Sequence, residues 1–301
     1  MKERLPFVAI SIVNWNGKAD TLACLDSLQQ VDYPERQIIL VDNGSTDGTV
    51  EAVRRAFPDV RLICNRENLR YARANNQAIT LALQQGADYV LLLNNDTRVA
   101  PDFLTHLVAR AESDSRIGMV GAKIYYEAPG QRIWYAGGRV SLWRGKIWHV
   151  GLRRPDAGQY DEATEVEYIT GCCLLASRQC IETIGLLDED FYMYAEDVDW
   201  CYRARRAGFR LMYEPRAKVW HKISSSTGGQ QTPGGLTPFK VRHKIQGMLL
   251  FFRKWARWYQ WPTILIFMSL EFVRTLLLIL WERNWRAFEA LIKAAFLFKR
   301  K

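Results

Sequence analysis

The sequence predicts an α/β fold: a mostly parallel, Rossmann-like sheet flanked by helices, followed by a C-terminal amphipathic helical extension. Three short apolar runs, at residues 7–13, 37–41 and 90–93, are typical of strands buried on both faces. Polar residues end each run, and apolar residues at helical spacing follow it. Because strands that alternate with polar loops and helices are typical of parallel sheets, this pattern indicates the fold class.

Local signals define the remaining elements. Gly86 and Gly208 end helical stretches, and Pro101 suits the first turn of another helix. We predict helices over residues 19–30, 50–57, 65–85, 101–111 and 196–207, and further strands over 60–64, 117–124, 165–170, 172–176 and 217–220. Residues 132–152, rich in Gly, Trp and Arg, predict irregular strands or a hairpin. Their role stays open, since they could contact either an acceptor substrate or another subunit. A subunit contact would make the protein a homo-oligomer.

The positive charge of the chain belongs to its C-terminal part. From Phe239 onward there are 13 Lys and Arg and 3 Asp and Glu, whereas the preceding residues hold 28 basic and 29 acidic side chains. A main domain without a basic excess argues against a nucleic-acid partner. The six cysteines form no C-x-x-C pair, and no long apolar stretch precedes a cleavage site at the N-terminus. We therefore expect reduced thiols, no signal peptide and a cytoplasmic protein.

The apolar run at residues 90–93 ends in Asn94, Asn95 and Asp96. In an open α/β sheet, ligands bind beyond the carboxyl ends of the strands. A carboxylate there can hold a divalent cation, and the cation can hold a diphosphate. The alternative is that these three residues only end the strand and start a turn.

Asp42 occupies the same kind of position, at the carboxyl end of the run at residues 37–41. Its carboxylate can accept hydrogen bonds from a nucleobase or a ribose hydroxyl, or it can form a local turn. The sequence has no G-x-G-x-x-G after the first strand and no G-x-x-x-x-G-K-[ST]. The glycine-rich phosphate cradles are therefore excluded, and a phosphate held through a metal ion fits the acidic strand ends better.

A third acidic cluster opens the predicted helix at residues 196–207, which begins with Glu196, Asp197 and Asp199 and ends in arginines. Complementing the helix dipole explains this order of charges by itself. A carboxylate at a helix N-terminus also stays ionised near neutral pH, and it can then accept a proton from an attacking hydroxyl. Tyr194 belongs to an aromatic lead-in that suits an apolar or sugar-stacking wall. His221 ends a strand and is either structural or a metal ligand.

The C-terminal part, residues 239–301, predicts two or three helices behind a Gly/Ser/Pro-rich linker or lid at residues 228–238. The apolar block 264–281 is nearly long enough to span a bilayer, but Glu271 and Arg274 each cost about 2.5–3.5 kcal/mol at a bilayer centre. If residues 263–293 are placed on one continuous helix, their polar side chains lie on one arc of its surface. These residues are Thr263, Glu271, Arg274, Thr275, Glu282, Arg286, Glu289 and Lys293. This arc favours a helix lying in the membrane interface, although packing on its own domain or a partner subunit stays open.

Several motifs together resemble glycosyltransferase family 2, with the GT-A fold, over residues 6–227. They are S-I-V-N-W-N-G, V-D-N-G-S-T-D-G-T, E-N-L-R-Y-A-R-A-N-N, L-L-L-N-N-D-T, G-C-C-L-L-A-S-R, F-Y-M-Y-A-E-D-V-D-W-C-Y-R-A-R-R-A-G-F and V-W-H-K. Each motif is weak alone, but their order and spacing are specific. The chain is most similar in pattern to rhamnosyltransferase-like members that build bacterial surface polysaccharides.

The resemblance implies a reaction: the inverting, metal-dependent transfer of a sugar from a nucleotide-diphosphate sugar to a hydroxyl of a glycan or lipid-linked acceptor. It implies donor binding by Asn14, Trp15, Asp42, Asn76 and Asn95, a Mg²⁺ or Mn²⁺ site at Asp96 and His221, a catalytic base at Asp197, and acceptor-side roles for Glu196 and Tyr194. Separately, the tryptophans of the C-terminal part and the Lys and Arg around them predict a location at the inner face of the cell membrane.

This sequence departs from the family pattern at two places. The family's D-x-D motif reads N-N-D, which leaves Asp96 as its single carboxylate, and Arg70 and Arg73 replace glycines. Two other function classes stay open: a sugar nucleotidyltransferase and a non-catalytic nucleotide-sugar binder.

Overall fold

The computed structural model describes residues 4–127, 131–222 and 237–296. The chain divides into two compact units. The first takes its described residues from 1–139, 149–189 and 197–223, and the second from 140–148, 190–196 and 224–301. The predicted linker at 228–238 lies almost wholly outside the described residues, so the domain boundaries at 227 and 239 stay a prediction.

The elements follow one another as strands alternating with helices in the first half of the chain. The strands are β1 (Val8–Asn14), β2 (Arg36–Asp42), β3 (Arg61–Cys64), β4 (Tyr89–Asn94), β5 (Thr97–Val99), β6 (Ile117–Tyr126), β7 (Ile133–Tyr135), β8 (Gly138–Ser141), β9 (Lys146–His149), β10 (Thr164–Glu165), β11 (Cys173–Ser177) and β12 (Arg210–His221). The helices are α1 (Lys18–Gln29), α2 (Thr49–Ala56), α3 (Arg70–Gln84), α4 (Phe103–Glu112), α5 (Arg178–Ile184), α6 (Glu196–Arg206), α7 (Pro238–Trp255), α8 (Trp261–Trp281) and α9 (Trp285–Phe296).

The main sheet of the first unit has the order β10-β12-β6-β11-β4-β1-β2-β3, with β5 and β7 beside β12 and β6. β1 pairs in parallel with both β2 and β4, β2 with β3, and β6 with β12, whereas β11 runs antiparallel between β4 and β6. The register pairs Asn14 with Asp42 and Val13 with Asn94, so the carboxyl ends of three parallel strands lie side by side. The predicted α/β sheet with flanking helices is confirmed.

The interior of this sheet is apolar on both faces. Residues 8–10 of β1 and 90–92 of β4 have no exposed surface. Helix α3 covers one face with small side chains, since Ala74, Ala78 and Ala82 are fully buried. Small residues let the helix backbone approach the sheet closely.

Three local predictions differ from the structure. The strand predicted at 217–220 is longer, because β12 starts at Arg210 and passes Pro215 at an irregularity between Glu214 and Lys218, where a proline is tolerated. Only the first residue of the predicted strand 165–170 pairs in β10. Helix α5 was not predicted, although Ser177 caps it by accepting a hydrogen bond from the Cys180 N–H at 3.2 Å.

The described part of the second unit contains helices α7, α8 and α9, which share a small apolar core. Ile279 of α8 packs with Val241 of α7 and Leu291 of α9. Helix α8 ends at Trp281 and Arg283 has φ +51, so α8 and α9 are separate helices. The predicted single polar arc over residues 263–293 is therefore wrong, because it assumed one continuous helix.

Candidate active site

Asn14, the last residue of β1, is the centre of a buried hydrogen-bond network at the carboxyl edge of the sheet. Its amide nitrogen donates to Oδ2 of Asp42 at 2.8 Å and to Oγ of Ser45 at 3.0 Å. Its Oδ1 accepts from Thr21 at 2.9 Å and from Nδ2 of Asn95 at 3.1 Å. Because the side chain has no exposed surface, these bonds hold neighbouring residues in place.

Asp42, 2 % exposed, lies at the end of β2 with both carboxylate oxygens engaged. Besides Asn14, it accepts the Ser45 backbone N–H at 2.8 Å. Trp15 follows Asn14 in the chain, and the turn at Asn16, with φ +51, leaves its indole 46 % exposed. An ordered carboxylate beside an exposed aromatic ring can bind a nucleobase by hydrogen bonding and stacking.

Asp96 follows β4 and lies next to His221, the last residue of β12. The strand pair β5–β12 brings them together, since its register pairs His221 with Thr97 and the Lys222 N–H donates to the Asp96 carbonyl at 3.0 Å. The Asp96 carboxylate lies 3.0 Å from Nε2 of His221. A carboxylate and an imidazole 125 residues apart in sequence therefore form one pair at the sheet edge.

The His221 ring is held by an aromatic neighbour. Trp134 of β7 contacts it edge-on, with centroids 4.6 Å apart, and contacts His149 on the other side at 4.5 Å. His149 is oriented in turn by the Trp134 carbonyl, 3.2 Å from its Nδ1. His221 is only 6 % exposed, and its Nδ1 has no hydrogen-bond partner within the part of the chain that the structure describes. A buried ring nitrogen without a partner indicates that a group from outside these residues belongs here.

Asp197 lies in the first turn of α6 and is anchored by backbone N–H groups. Its Oδ2 accepts from Gly171 at 2.8 Å and its Oδ1 from Val198 at 2.8 Å. Burial raises the pKa of Asp197, and these backbone hydrogen bonds oppose the rise. The enclosed side chain therefore holds its proton more tightly than an ordinary Asp, and its ionisation near neutral pH stays a prediction.

The loop before β11 connects Asp197 to the end of β4. Gly171 donates to Asp197, and the carbonyl of the next residue, Cys172, accepts the Asn94 N–H at 3.1 Å. Burial raises the pKa of the Cys172 thiol, and the charges of Asp96 and Asp197 raise it further. The turn at residues 171–172 therefore joins Asp197 to the end of β4, beside which β1 ends at Asn14.

The other predicted site residues have different surroundings. Asn76 is not part of the network, because its side chain bonds to the backbone of Leu187 at 2.9 and 3.0 Å and to Glu189 at 3.0 Å. It ties α3 to the loop before α6. Glu196 and Tyr194 belong to the second unit, where burial and the Glu196 charge raise the pKa of Tyr194 to about 12. The donor-binding role of Asn76 and the acceptor-side roles of Glu196 and Tyr194 stay predictions.

The two arginines that replace glycines lie at the start of α3. Arg70 has φ +71, a conformation that glycine adopts without strain, and its carbonyl accepts from Asn43 at 3.3 Å. Arg73 lies 4.0 Å from Glu189, with 61 % of its side chain exposed.

Sequence reasoning missed several residues that shape the site. A Cβ on Gly17 would lie 2.7 Å from Nδ2 of Asn95 and 2.9 Å from Oδ1 of Asn14, so the network needs glycine there. Ser45, Thr21 and Trp134 act through contacts between distant segments, and no local pattern marks them. Only the N-W-N-G and N-G-S turn signals mark the loops that carry Gly17 and Ser45. Among the residues that the structure describes, no three His, Cys, Asp or Glu side chains converge as a metal site.

Comparisons with known proteins agree with this arrangement. The family model described as glycosyl transferase family 2 matches residues 9–185. The N-acetylglucosaminyl-diphospho-decaprenol L-rhamnosyltransferase of Mycobacterium tuberculosis is 30 % identical over 247 residues, covering 76 % of this chain and 79 % of that protein. The y4gI protein of Sinorhizobium fredii is 32 % identical over 246 residues, or 77 % of this chain, but the chain spans only 26 % of that relative's length.

The fold also matches a solved structure. The mannosyltransferase PcManGT of Pyrobaculum calidifontis, solved in complex with GDP-Man and Mn²⁺, superposes with a TM-score of 0.61 over 99 % of this chain and 89 % of that chain, at 19 % identity. At this identity the likeness shows the fold alone, and it confirms the predicted GT-A architecture. The family match and the relatives together show that the chain belongs to glycosyl transferase family 2.

Proposed function

We propose that the protein transfers a sugar from a nucleotide-diphosphate sugar to a hydroxyl of a glycan or lipid-linked acceptor, with inversion at the anomeric carbon, in the synthesis of a cell-surface polysaccharide. One observation carries the proposal. The Gly171–Cys172 turn joins the Asp197 carboxylate to the end of β4, next to Asp96 and the Asn14 network. The proposed base Asp197 therefore lies along the same edge of the sheet as a rim of polar side chains formed by Asn14, Asp42, Asn95 and Asp96.

The nucleoside would bind at Asp42 and Trp15. The buried Asp42 carboxylate is oriented by Asn14 and Ser45, and the exposed indole provides a stacking surface. Asn14 and Asn95 act by holding this rim in place, since their amides bond to each other and to Thr21.

A divalent cation, Mg²⁺ or Mn²⁺, fits the residues at the end of β4. Asp96 supplies a carboxylate, and His221, whose Nε2 lies 3.0 Å from that carboxylate, supplies an imidazole. Mg²⁺ is commonly bound by one or two protein groups, with water and substrate phosphate completing its octahedron. Such an ion would offset the charge that develops on the leaving diphosphate. The Mn²⁺ in the structure of the similarly folded mannosyltransferase supports this part of the proposal.

Asp197 is the proposed general base. Its carboxylate is fixed by two backbone N–H groups, and burial raises its pKa toward the range where it can take a proton from a sugar hydroxyl. The hydroxyl oxygen then attacks the anomeric carbon, the bond to the diphosphate oxygen breaks, and the proton remains on Asp197. A single displacement inverts the configuration.

We also propose that the protein works on the inner face of the cell membrane. Helix α8 is the one helix among the described residues that is long and apolar enough to cross a membrane, and only 11 % of its most apolar window is buried. The lipid-linked acceptor named for the mycobacterial relative supports a membrane location.

The test uses the purified full chain with a panel of nucleotide-diphosphate sugars and lipid-linked or glycan acceptors. Nucleoside diphosphate released in proportion to transferred sugar, with loss of turnover in EDTA and recovery on adding Mn²⁺ or Mg²⁺, is the expected result. Release of pyrophosphate instead would indicate a nucleotidyltransferase. Donor binding without turnover for any donor and acceptor would indicate a non-catalytic binder.

A further inference from the structure

The tip of the β8–β9 hairpin, residues 140–148, belongs to the second unit, and the sequence left its role open. A Cβ on Gly145 would lie 2.9 Å from Cγ2 of Ile264 and 3.3 Å from Cγ of Met268, so the tip backbone lies directly against α8. Gly145 also has φ +52, which the tip tolerates because glycine lacks a side chain. The hairpin tip and the first turns of α8 therefore form one surface.

A row of exposed aromatic rings runs across this surface. Trp143 of the tip and Tyr259 before α8 have ring centroids 5.7 Å apart, and Trp258 lies 5.9 Å from Tyr259. Their exposed fractions are 54 %, 41 % and 85 % for Trp143, Tyr259 and Trp258. Large rings left adjacent and exposed on a folded protein indicate an interaction surface.

The apolar character continues along α8. Ile264 and Ile279 are buried against the unit, but the helix also exposes Leu265, Ile266, Leu270, Val273, Leu277, Leu280 and Trp281. A helix that is apolar on its packed side and again on its exposed side meets an apolar medium on both.

The charges beside the aromatic row are positive. Arg144 and Lys146 flank Gly145 at the tip, and Arg257 precedes Trp258, all three exposed. The described residues of the second unit contain 12 Lys and Arg and 5 Asp and Glu. Trp and Tyr concentrate at the level of lipid headgroups, and Lys and Arg are attracted to anionic lipids.

We propose that the hairpin tip and α8 form a single docking surface for an anionic bilayer, with Trp143 and Arg144 as a second membrane contact beside the helix. This inference rests on the membrane association proposed above and not on the transfer reaction. A second copy of the chain fits the surface less well, because dimerisation would bring two basic surfaces together. An anionic bilayer offers both the negative charge and the apolar layer.

The first experiment measures flotation of the full chain with vesicles of phosphatidylcholine alone or mixed with phosphatidylglycerol, without donor or acceptor. Wild type is expected to float with the anionic vesicles and less with the neutral ones. Removing one arginine near such a surface lowers partitioning about fivefold, so the double variant Trp143→Ala/Arg144→Ser, which also loses the indole, is expected to lose at least about tenfold.

The matched control is Leu152→Ala/Arg154→Ser, which removes one exposed apolar side chain and one exposed arginine from the first unit. It is expected to float like wild type. Equal loss in both double variants, or no loss in the hairpin variant, would overturn the proposal. Concentration-dependent dimerisation that only the hairpin variant abolishes, with its flotation unchanged, would instead assign the surface to a second copy.

A second experiment locates the tip directly. Cys64 is the exposed cysteine and the other five are buried, so Cys64→Ser allows a polarity-sensitive dye to be placed at Arg144→Cys or, as control, at Arg154→Cys. The dye at position 144 is expected to shift to the blue when anionic vesicles are added, and the dye at 154 is not. An unchanged spectrum at 144 in vesicle-bound protein would contradict the second contact. Because neither experiment needs turnover, failure of the transfer reaction would leave their results intact.

Discussion

The strand-end rim of the first unit and helix α8 of the second depart from the usual arrangement of a soluble protein in opposite directions. At the rim, the polar side chains of Asn14, Asp42 and Asp96 are buried. On α8, large apolar side chains such as Leu270 and Leu277 are exposed, by 60 % and 61 %. Each departure costs free energy in water unless a partner compensates it. Hydrogen bonds within the first unit largely satisfy the buried polar groups of the rim. The exposed apolar side chains of α8, in contrast, need a partner from outside the second unit.

This difference separates two kinds of variant. Changes at the rim should damage the reaction or the fold, because Asn14, Asp42 and Asn95 are joined by buried hydrogen bonds. Changes on the exposed side of α8 should leave the folded state intact and alter only what the helix contacts.

The largest effect is expected for Asp197→Asn. It keeps the shape and loses the ability to take a proton, so turnover should fall about 10²–10⁴-fold while donor binding is retained. Release of nucleoside diphosphate and binding calorimetry with the donor measure the two properties. Asp59→Asn, at an exposed carboxylate of the same unit, is the control and should keep turnover near wild type. Wild-type turnover in Asp197→Asn would refute the assignment of the base.

The next effect is expected for Gly17→Ala. The new Cβ would lie 2.7 Å from Nδ2 of Asn95 and 2.9 Å from Oδ1 of Asn14, so the bond between these amides must break or lengthen. Leaving buried amides without partners costs about 1–3 kcal/mol, and urea unfolding should show this loss. The KM for the donor should rise about tenfold as the rim shifts, since 1.4 kcal/mol corresponds to one decade. Lys18→Ala, an exposed neighbour, should change neither quantity.

The sequence anticipated the part of this rim that depends on topology alone. Once β1, β2 and β4 are parallel neighbours, their carboxyl ends must share an edge, so Asp42 and Asp96 were found from strand ends alone, whereas Asn14 was found only through the family resemblance. His221 was found because it ends a strand. Trp134 and Gly171 were not, because they act through contacts with residues far away in the chain.

In the second unit too, the sequence did not predict features that depend on tertiary structure. Composition indicated apolar helices with tryptophans, but the break at Arg283 depends on a single positive φ that no residue pattern marks. The contact between Gly145 and Ile264 joins segments more than a hundred residues apart. Asn76 holds the loop at Leu187, a contact that the sequence did not predict, and its donor-binding role stays a prediction.

A smaller effect is expected from pH. Burial raises the pKa of Asp197 above its ordinary value of 3.8, against the backbone hydrogen bonds. The folded protein then binds this proton more tightly than the unfolded chain, so the group's contribution to stability is full below the unfolded pKa and is lost as pH rises through the folded pKa. Turnover needs the ionised form, so the acid limb of kcat should lie above the ordinary Asp range. An acid limb at or below pH 4, about the ordinary Asp pKa, would contradict this assignment.

The smallest effect on the folded state is expected for Leu270→Gln and Leu277→Gln on α8. Both side chains are more than half exposed, so the free energy of unfolding should change by no more than about 0.5 kcal/mol. The same substitution at Ile279, which packs with Val241 and Leu291, should cost several times more, because it buries an amide in the apolar core. Urea unfolding of the three variants measures this ranking. In flotation on anionic vesicles, Leu270→Gln and Leu277→Gln should lose more binding than Ile279→Gln, because they remove exposed apolar side chains. If Leu270→Gln and Leu277→Gln destabilised the chain as much as Ile279→Gln, α8 would be compensated from within its own unit, and the contrast with the rim would disappear.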